Sequence, residues 1–241
     1  MSLAPSLHVT GSARIGGVRI FGPLTLQAPA GQWNCLLGSS GVGKSTLLRI
    51  LAGLDEDITL DAKAGAGDGL PLAGRVALMA QSDLLMPWLD VMGNVTLGAK
   101  LRGEAVDTRQ ARAVLQRVGL DEHLHKRPRA LSGGQRQRVA LARTLMEDRP
   151  VVLLDEPFSA LDARTRATMQ DLAAELLQGR TVLHVTHDAA EAARLGQSIV
   201  LMTEAGIDEI TPPAAPVPRA FDADETLAFQ ASLLRRLMVT Q

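Results

Sequence analysis

Along this chain the apolar residues gather into short unbroken runs at 33–37, 75–80, 151–154, 181–185 and 199–202. Runs bounded by glycine or polar residues, with no period-two alternation, are the pattern of strands buried on both faces. Between several of them the apolar positions recur at helical spacing, over 44–54, 108–118, 134–147 and 164–177. Crossovers of that length suit βαβ units, so the pattern predicts an α/β domain on a mainly parallel sheet. From about 87 to 146 there are helical patterns and no strand, which predicts a helical subdomain inserted into the sheet domain. Residues 62–74, rich in glycine and alanine, and 212–218, rich in proline, read as loops. The second closes the main domain, 1–211, and leaves 212–241 as a linker and a short helical tail. The apolar face of that tail, at 226–238, docks either on its own domain or on a partner.

Composition narrows the field. The chain has 241 residues, enough for one large α/β domain or two small ones. Its net charge of −1, with acids and bases interspersed, lacks the electrostatic footprint of a nucleic-acid binder and any polybasic membrane anchor. Cys35 is the single cysteine, so no intrachain disulfide or multi-cysteine metal site is available. Its place in Trp33-Asn34-Cys35-Leu36-Leu37 marks a buried core residue rather than a reactive thiol. No stretch approaches the roughly eighteen apolar residues of a membrane span, and Met1-Ser2-Leu3-Ala4-Pro5 lacks the features of a signal peptide. The expectation is a soluble, cytoplasmic chain.

The chemistry concentrates at the ends of the apolar runs. Gly38-Ser39-Ser40-Gly41-Val42-Gly43-Lys44-Ser45-Thr46 follows one run and opens a helical pattern, and it fits the P-loop spacing G-x-x-x-x-G-K-[ST]. Glycines let backbone N–H groups turn inward around an anion, and the next helix presents its positive end. Lys44 adds a point charge, and Ser45 a hydroxyl for Mg²⁺. Pro150-Val151-Val152-Leu153-Leu154-Asp155-Glu156-Pro157 is a strand delivering two acids to its C-terminal edge. There Asp155 can organise Mg²⁺ and Glu156 can polarise an attacking water. Leu131-Ser132-Gly133-Gly134-Gln135 opens another helix, with Ser132 as N-cap and a glycine pair exposing backbone donors, so it is a second anion site.

The stretch LSGGQ resembles the signature of the ATP-binding cassette (ABC) ATPases, and the whole pattern from Gly38 to His187 is similar to that family. The resemblance implies a P-loop NTPase (RecA-like) core with an inserted α-helical subdomain and a small antiparallel β-subdomain. It also implies ATP and Mg²⁺ as cofactors. Gln81 matches the glutamine that touches Mg²⁺ and the attacking water, and His187 the histidine that contacts the γ-phosphate. Ser159-Ala160-Leu161-Asp162 matches the loop across the dimer interface, and Asp162 is grouped with the nucleotide site. Taken singly, Gln81 and His187 would read as structural polar groups at strand ends. His8, His123, His125 and His184 have no such support and read as surface or core residues.

In this family two copies close head to tail, so that the P-loop of one and the signature of the other, Ser132 to Gln135, sandwich the same ATP. Such a chain drives integral membrane permease subunits, reached indirectly by a periplasmic or lipid-anchored solute-binding protein, and sits on the inner face of the cell membrane. The segment Leu84-Leu85-Met86-Pro87-Trp88-Leu89-Asp90-Val91-Met92-Gly93-Asn94-Val95 resembles that of importer ATPases for taurine, sulfonates, nitrate and thiamine pyrimidine precursors. Trp88 either fills a pocket of such a partner or anchors the helical subdomain internally. The place of the family's adenine-stacking aromatic falls on Ile15, and Phe21, the nearest aromatic, reads as packed in the sheet. The rival function is a cassette ATPase of DNA repair, chromosome maintenance or the ribosome, with no coiled coil or DNA-binding domain here to favour it.

Overall fold

The computed structural model describes residues 4–239; residues 1–3 and 240–241, and with them part of the N-terminal stretch read above, lie outside the described residues. In chain order the strands are β1 (Leu7–Ile15), β2 (Val18–Ala28), β3 (Trp33–Leu37), β4 (Ile58–Ala66), β5 (Val76–Met79), β6 (Val151–Asp155), β7 (Thr181–Thr186), β8 (Ser198–Thr203) and β9 (Gly206–Ile210). The helices are α1 (Lys44–Leu51), α2 (Val91–Val95), α3 (Leu97–Leu101), α4 (Thr108–Arg117), α5 (Gly133–Met146), α6 (Ala163–Leu176), α7 (Ala189–Leu195) and α8 (Asp224–Val239). The chain divides into two compact units. Among the described residues, unit one comprises 4–76, Arg149–Asp155 and 178–239, and unit two Ala77–Asp148 and Glu156–Leu177.

Unit one is built on two sheets. In the first, β1 lies between β2 and β4, all antiparallel. In the second, β6, β7, β3 and β8 lie side by side in that order, parallel, with β9 antiparallel on β8. Every residue of β3, β6 and β7 is buried, as their unbroken apolar runs require of strands covered on both faces. Asn34 is tolerated there because its Nδ2 donates to the carbonyls of Pro29, Gln32 and Val182 at 3.0–3.1 Å. Cys35 is buried, and burial together with the charge of Glu191 pushes its thiol far up. That is the state of a core residue, not of a nucleophile.

The stretch 62–74 is only partly a loop: its first residues complete β4 and pair with β1, from Gly11↔Ala62 to Leu7↔Ala66. Glycine and alanine have low strand propensity, but the register with β1 overrides it. The tail is a helix docked on its own unit, α8 burying Thr226, Leu233 and Leu237 and packing against α7. Arg219, at the entrance to that tail, is buried and donates to the carbonyls of Ala193, Gly196 and Pro213 at 2.7–2.9 Å.

Unit two is mostly helical. Helix α5 packs against α2 and α4, burying Val139, Ala140, Leu141, Ala142 and Leu145. Asn94 is fully buried and ties α2 to the segment before it: its Oδ1 accepts from Met86 N at 2.7 Å and its Nδ2 donates to Met86 O, Leu89 O and Asp90 O. No helix among the described residues is long and apolar enough to cross a membrane.

Candidate nucleotide site

In unit one the parallel register places three chemical groups along one edge. Leu37 pairs with Thr186 and Asp155 with Val185, so Gly38, Asp155 and His187 stand at the C-terminal ends of adjacent strands. This edge is where ligands bind in open α/β sheets. Gly38 is buried against β8, where a Cβ would overlap the backbone oxygen of Met202. Gly43 has φ 101°, a left-handed backbone in which a side chain would also meet Phe21 and Ile20 at 3.0–3.1 Å. It introduces α1 with no side-chain cap, so the first turn of that helix is not closed by its own N-cap.

Lys44 is buried, and its Nζ donates to Gly38 O at 2.8 Å and Ser39 O at 2.7 Å, holding the loop curled around its own ammonium. Ser40, Gly41 and Ser45 are exposed, Ser39 and Thr46 half-buried and Val42 buried, which pins the loop from beneath and opens it above. A hydroxyl on Ser45 and a buried carboxylate on Asp155 are hard oxygen donors of the kind Mg²⁺ takes. No cluster of three or more His, Cys, Asp or Glu suited to a metal occurs among the described residues.

His187 is exposed, and its neighbours on both sides are fixed. Thr186 Oγ1 donates to Glu191 Oε2 at 2.8 Å and accepts from Asp188 N at 3.0 Å, while Asp188 caps α7 by accepting from Ala190 N at 2.8 Å. His184, which the sequence leaves without a role, is fully buried beneath this turn, with Nε2 3.2 Å from Glu191 and Nδ1 accepting from Trp33 Nε1 at 3.3 Å. Ile15 is half-buried at the tip of the β1–β2 hairpin, paired with the exposed Val18, and Phe21 is buried, so no aromatic ring stands at that tip.

Unit two carries the other groups. Ser132 and Gly133 are exposed and Gly134 and Gln135 half-buried at the start of α5. A capping box closes this end: Ser132 Oγ accepts from Gln135 N at 3.2 Å, and Gln135 Oε1 from Ser132 N at 2.8 Å. The first intrahelical bond runs from Arg136 N to Ser132 O, so the N–H groups of Gly133 and Gly134 lie ahead of the ladder. His123 Nε2 lies 2.7 Å from Gln135 Nε2, a contact no sequence signal announces because His123 belongs to an isolated helical turn.

Glu156 stands at φ 48°, a left-handed conformation uncommon outside glycine, and its Oε2 accepts from Gln81 Nε2 at 3.3 Å. Gln81 itself is exposed. Asp162 caps α6 by accepting from Thr165 N at 3.0 Å. That hydrogen bond is the main reason its carboxyl titrates below the usual carboxylate range. Trp88 is 67% exposed, which removes it from the interior of unit two.

Residues 21–159 match the family model described as ABC transporter. An uncharacterized ABC transporter ATP-binding protein of Haemophilus influenzae is 42% identical over 94% of this chain and 95% of its own length. The protein named aliphatic sulfonates import ATP-binding protein SsuB 2 in Pseudomonas aeruginosa is 42% identical over 96% of this chain and 84% of its own. Among solved structures, the dimeric bacterial ABC transporter cassette MJ0796 superposes with a TM-score of 0.76 at 26% identity, covering 87% of this chain and all of that one. With a matched model over more than half its length and such relatives over nearly all of it, the chain belongs to the ABC transporter family as an ATP-binding subunit, with the cassette ATPase fold and ATPase activity.

Proposed function

We propose that this chain is the ATP-hydrolysing subunit of an importer, energising uptake of a small solute through separate integral membrane permease subunits. One observation carries the reading: each unit presents a glycine-lined helix N-terminus, α1 behind Gly43 and α5 behind Ser132. Two such ends in one chain suit a pair of copies, each supplying half of two phosphate sites.

In that arrangement the amides of Gly38 to Thr46 and the Lys44 ammonium hold the β- and γ-phosphates. Ser45, Asp155 and Gln81 would hold Mg²⁺, which when bound offsets phosphate charge. Glu156 takes the proton of the attacking water, and His187 contacts the γ-phosphate from the clamped turn before α7. The signature of a second copy, Ser132 to Gln135, closes on the same phosphate, with Asp162 at the interface. Loss of the γ-phosphate removes the charge-assisted bonds that keep the copies together, and the assembly reopens.

Trp88 supports the membrane partner. A two-thirds exposed tryptophan four residues after Leu84, itself 57% exposed, is apolar surface suited to filling a partner's pocket. Among relatives, the printed name "aliphatic sulfonates import" makes sulfonates the first solute to try. Taurine, nitrate and thiamine pyrimidine precursors follow from the 84–95 segment. A solute-binding protein would deliver the solute, with the chain peripheral on the inner face of the membrane.

The test is growth of a deletion strain on an aliphatic sulfonate as sole sulfur source. Wild-type chain should restore uptake of labelled sulfonate and Glu156→Gln should not. Equal uptake with Glu156→Gln would refute the reading.

A further inference from the structure

A buried amide in unit two is committed to the segment that carries the proposed base. Gln137, on α5, is 7% exposed. Its Nε2 donates to Glu156 O at 3.1 Å and to Ser159 Oγ at 3.3 Å, and its Oε1 accepts from Ala160 N at 2.9 Å. Ser159 Oγ donates to the same Glu156 carbonyl at 3.0 Å. Both ends of one side-chain amide are therefore spent on residues 156–160. A non-glycine residue keeps a left-handed backbone only where its surroundings over-determine it, and Glu156 does so under these bonds.

We infer that Gln137 is a positioning residue for ATP hydrolysis. By holding the Glu156 backbone it sets where the carboxylate points, and it also links that carboxylate to the helix whose first turn is the signature. A shift of Ser132–Gln135 against a nucleotide passes along about one turn of α5 into the Glu156 segment of the same chain. In the proposed dimer these two places belong to different ATP sites, so Gln137 couples one site to the other. The inference rests on the reading of Glu156 as the hydrolytic base.

Packing alone would explain a buried apolar residue here. It does not explain an amide whose donors and acceptor are both engaged by one loop, because burial of such a group is tolerated only through those bonds.

The experiment measures steady-state ATPase and ATP-dependent dimerisation of the full chain as wild type, Gln137→Met, Gln137→Glu, Ser159→Ala, Glu156→Gln and Gln137→Met/Glu156→Gln. Misplacing the base should lower kcat roughly tenfold or more in Gln137→Met while KM for ATP stays within about twofold. ATP-bound dimer should accumulate, as for Glu156→Gln. Gln137→Glu keeps the acceptor for Ala160 N–H but loses the donors, and should show the same split if the methionine variant folds poorly. Ser159→Ala, which leaves Gln137 on the Glu156 carbonyl, should lose no more than about threefold. The double variant should be no slower than Glu156→Gln, because both act on one step. A wild-type kcat in both Gln137 variants, or a double variant slower by the full Gln137→Met factor, would overturn the role of Gln137 alone. Wild-type turnover in Glu156→Gln would remove the base itself, and the inference with it.

Discussion

Replacing Gly133 by alanine isolates the signature as a ligand site. A Cβ built on Gly133 meets nothing nearer than Arg136 Nη2 at 3.9 Å, an ordinary contact, and the residue has helical backbone. Gly134 is tighter, with Ala160 O at 3.2 Å and Leu161 Cδ2 at 3.4 Å, so it is the poorer probe. Inside the chain alanine should therefore be harmless at 133, and its helix propensity favours the fold by up to about 1 kcal/mol. For a chain of this size that raises Tm by at most ~2–4 °C. If the Gly133 N–H closes on a phosphate of the opposing copy, the added methyl blocks a charge-assisted hydrogen bond worth about 1.5–3 kcal/mol. That is roughly ten- to hundredfold in ATP-driven dimer affinity. Thermal melting and gel filtration with ATP, in a Glu156→Gln background, read both quantities. An alanine variant that melts as expected and dimerises like its parent would refute the claim that this glycine faces a ligand.

Three further outcomes follow from the same geometry. Trp88→Ala should change the stability of the free chain by no more than about 0.5 kcal/mol, as for exposed positions generally, yet cost about 2 kcal/mol or more in binding to permease subunits. Unfolding of the free subunit with intact assembly would reverse that assignment. At the hairpin tip, Ile15→Tyr should tighten ATP binding by up to the ~1–3 kcal/mol of a base–aromatic stack, measured beside GTP. A wild type already selective for ATP, with no gain on substitution, would show that another residue holds the base. Asp162 has a depressed folded carboxyl pKa, so its cap is fully formed above the ordinary carboxylate value of about 4 and is lost as pH falls through the lower folded value. Asp162→Asn, which caps without titrating, should flatten that acid limb of stability, measured by urea unfolding between about pH 5 and about pH 2.

The legible parts of the fold were those where burial is complete. β3 has the bounds that its apolar run sets, and β6 and β7 each extend one residue further, to Asp155 and Thr186, because the polar ends still pair in the ladder. β1, β2 and β4 were not readable strand by strand: their faces are half exposed and glycines interrupt the alternation, so no period stands out. Among site residues, the P-loop, the acidic strand end and the signature announce themselves because phosphate chemistry demands fixed spacings. Gln137, Glu191 and His184 do not. Each acts through a contact that exists only after packing, such as the bond from Gln137 to a carbonyl 19 residues further along, and in the sequence each resembles any polar residue in a helix or strand.

In the proposed assembly ATP joins two copies through the P-loop of one and the signature of the other. Sedimentation of Glu156→Gln, with and without ATP and with bound nucleotide counted, tests it most directly. A monomer is expected without ATP and, with ATP, a dimer holding two nucleotides, abolished by Lys44→Ala through lost binding and by Ser132→Arg with binding retained. A chain that binds ATP and stays monomeric, or a dimer that survives Ser132→Arg, would contradict it.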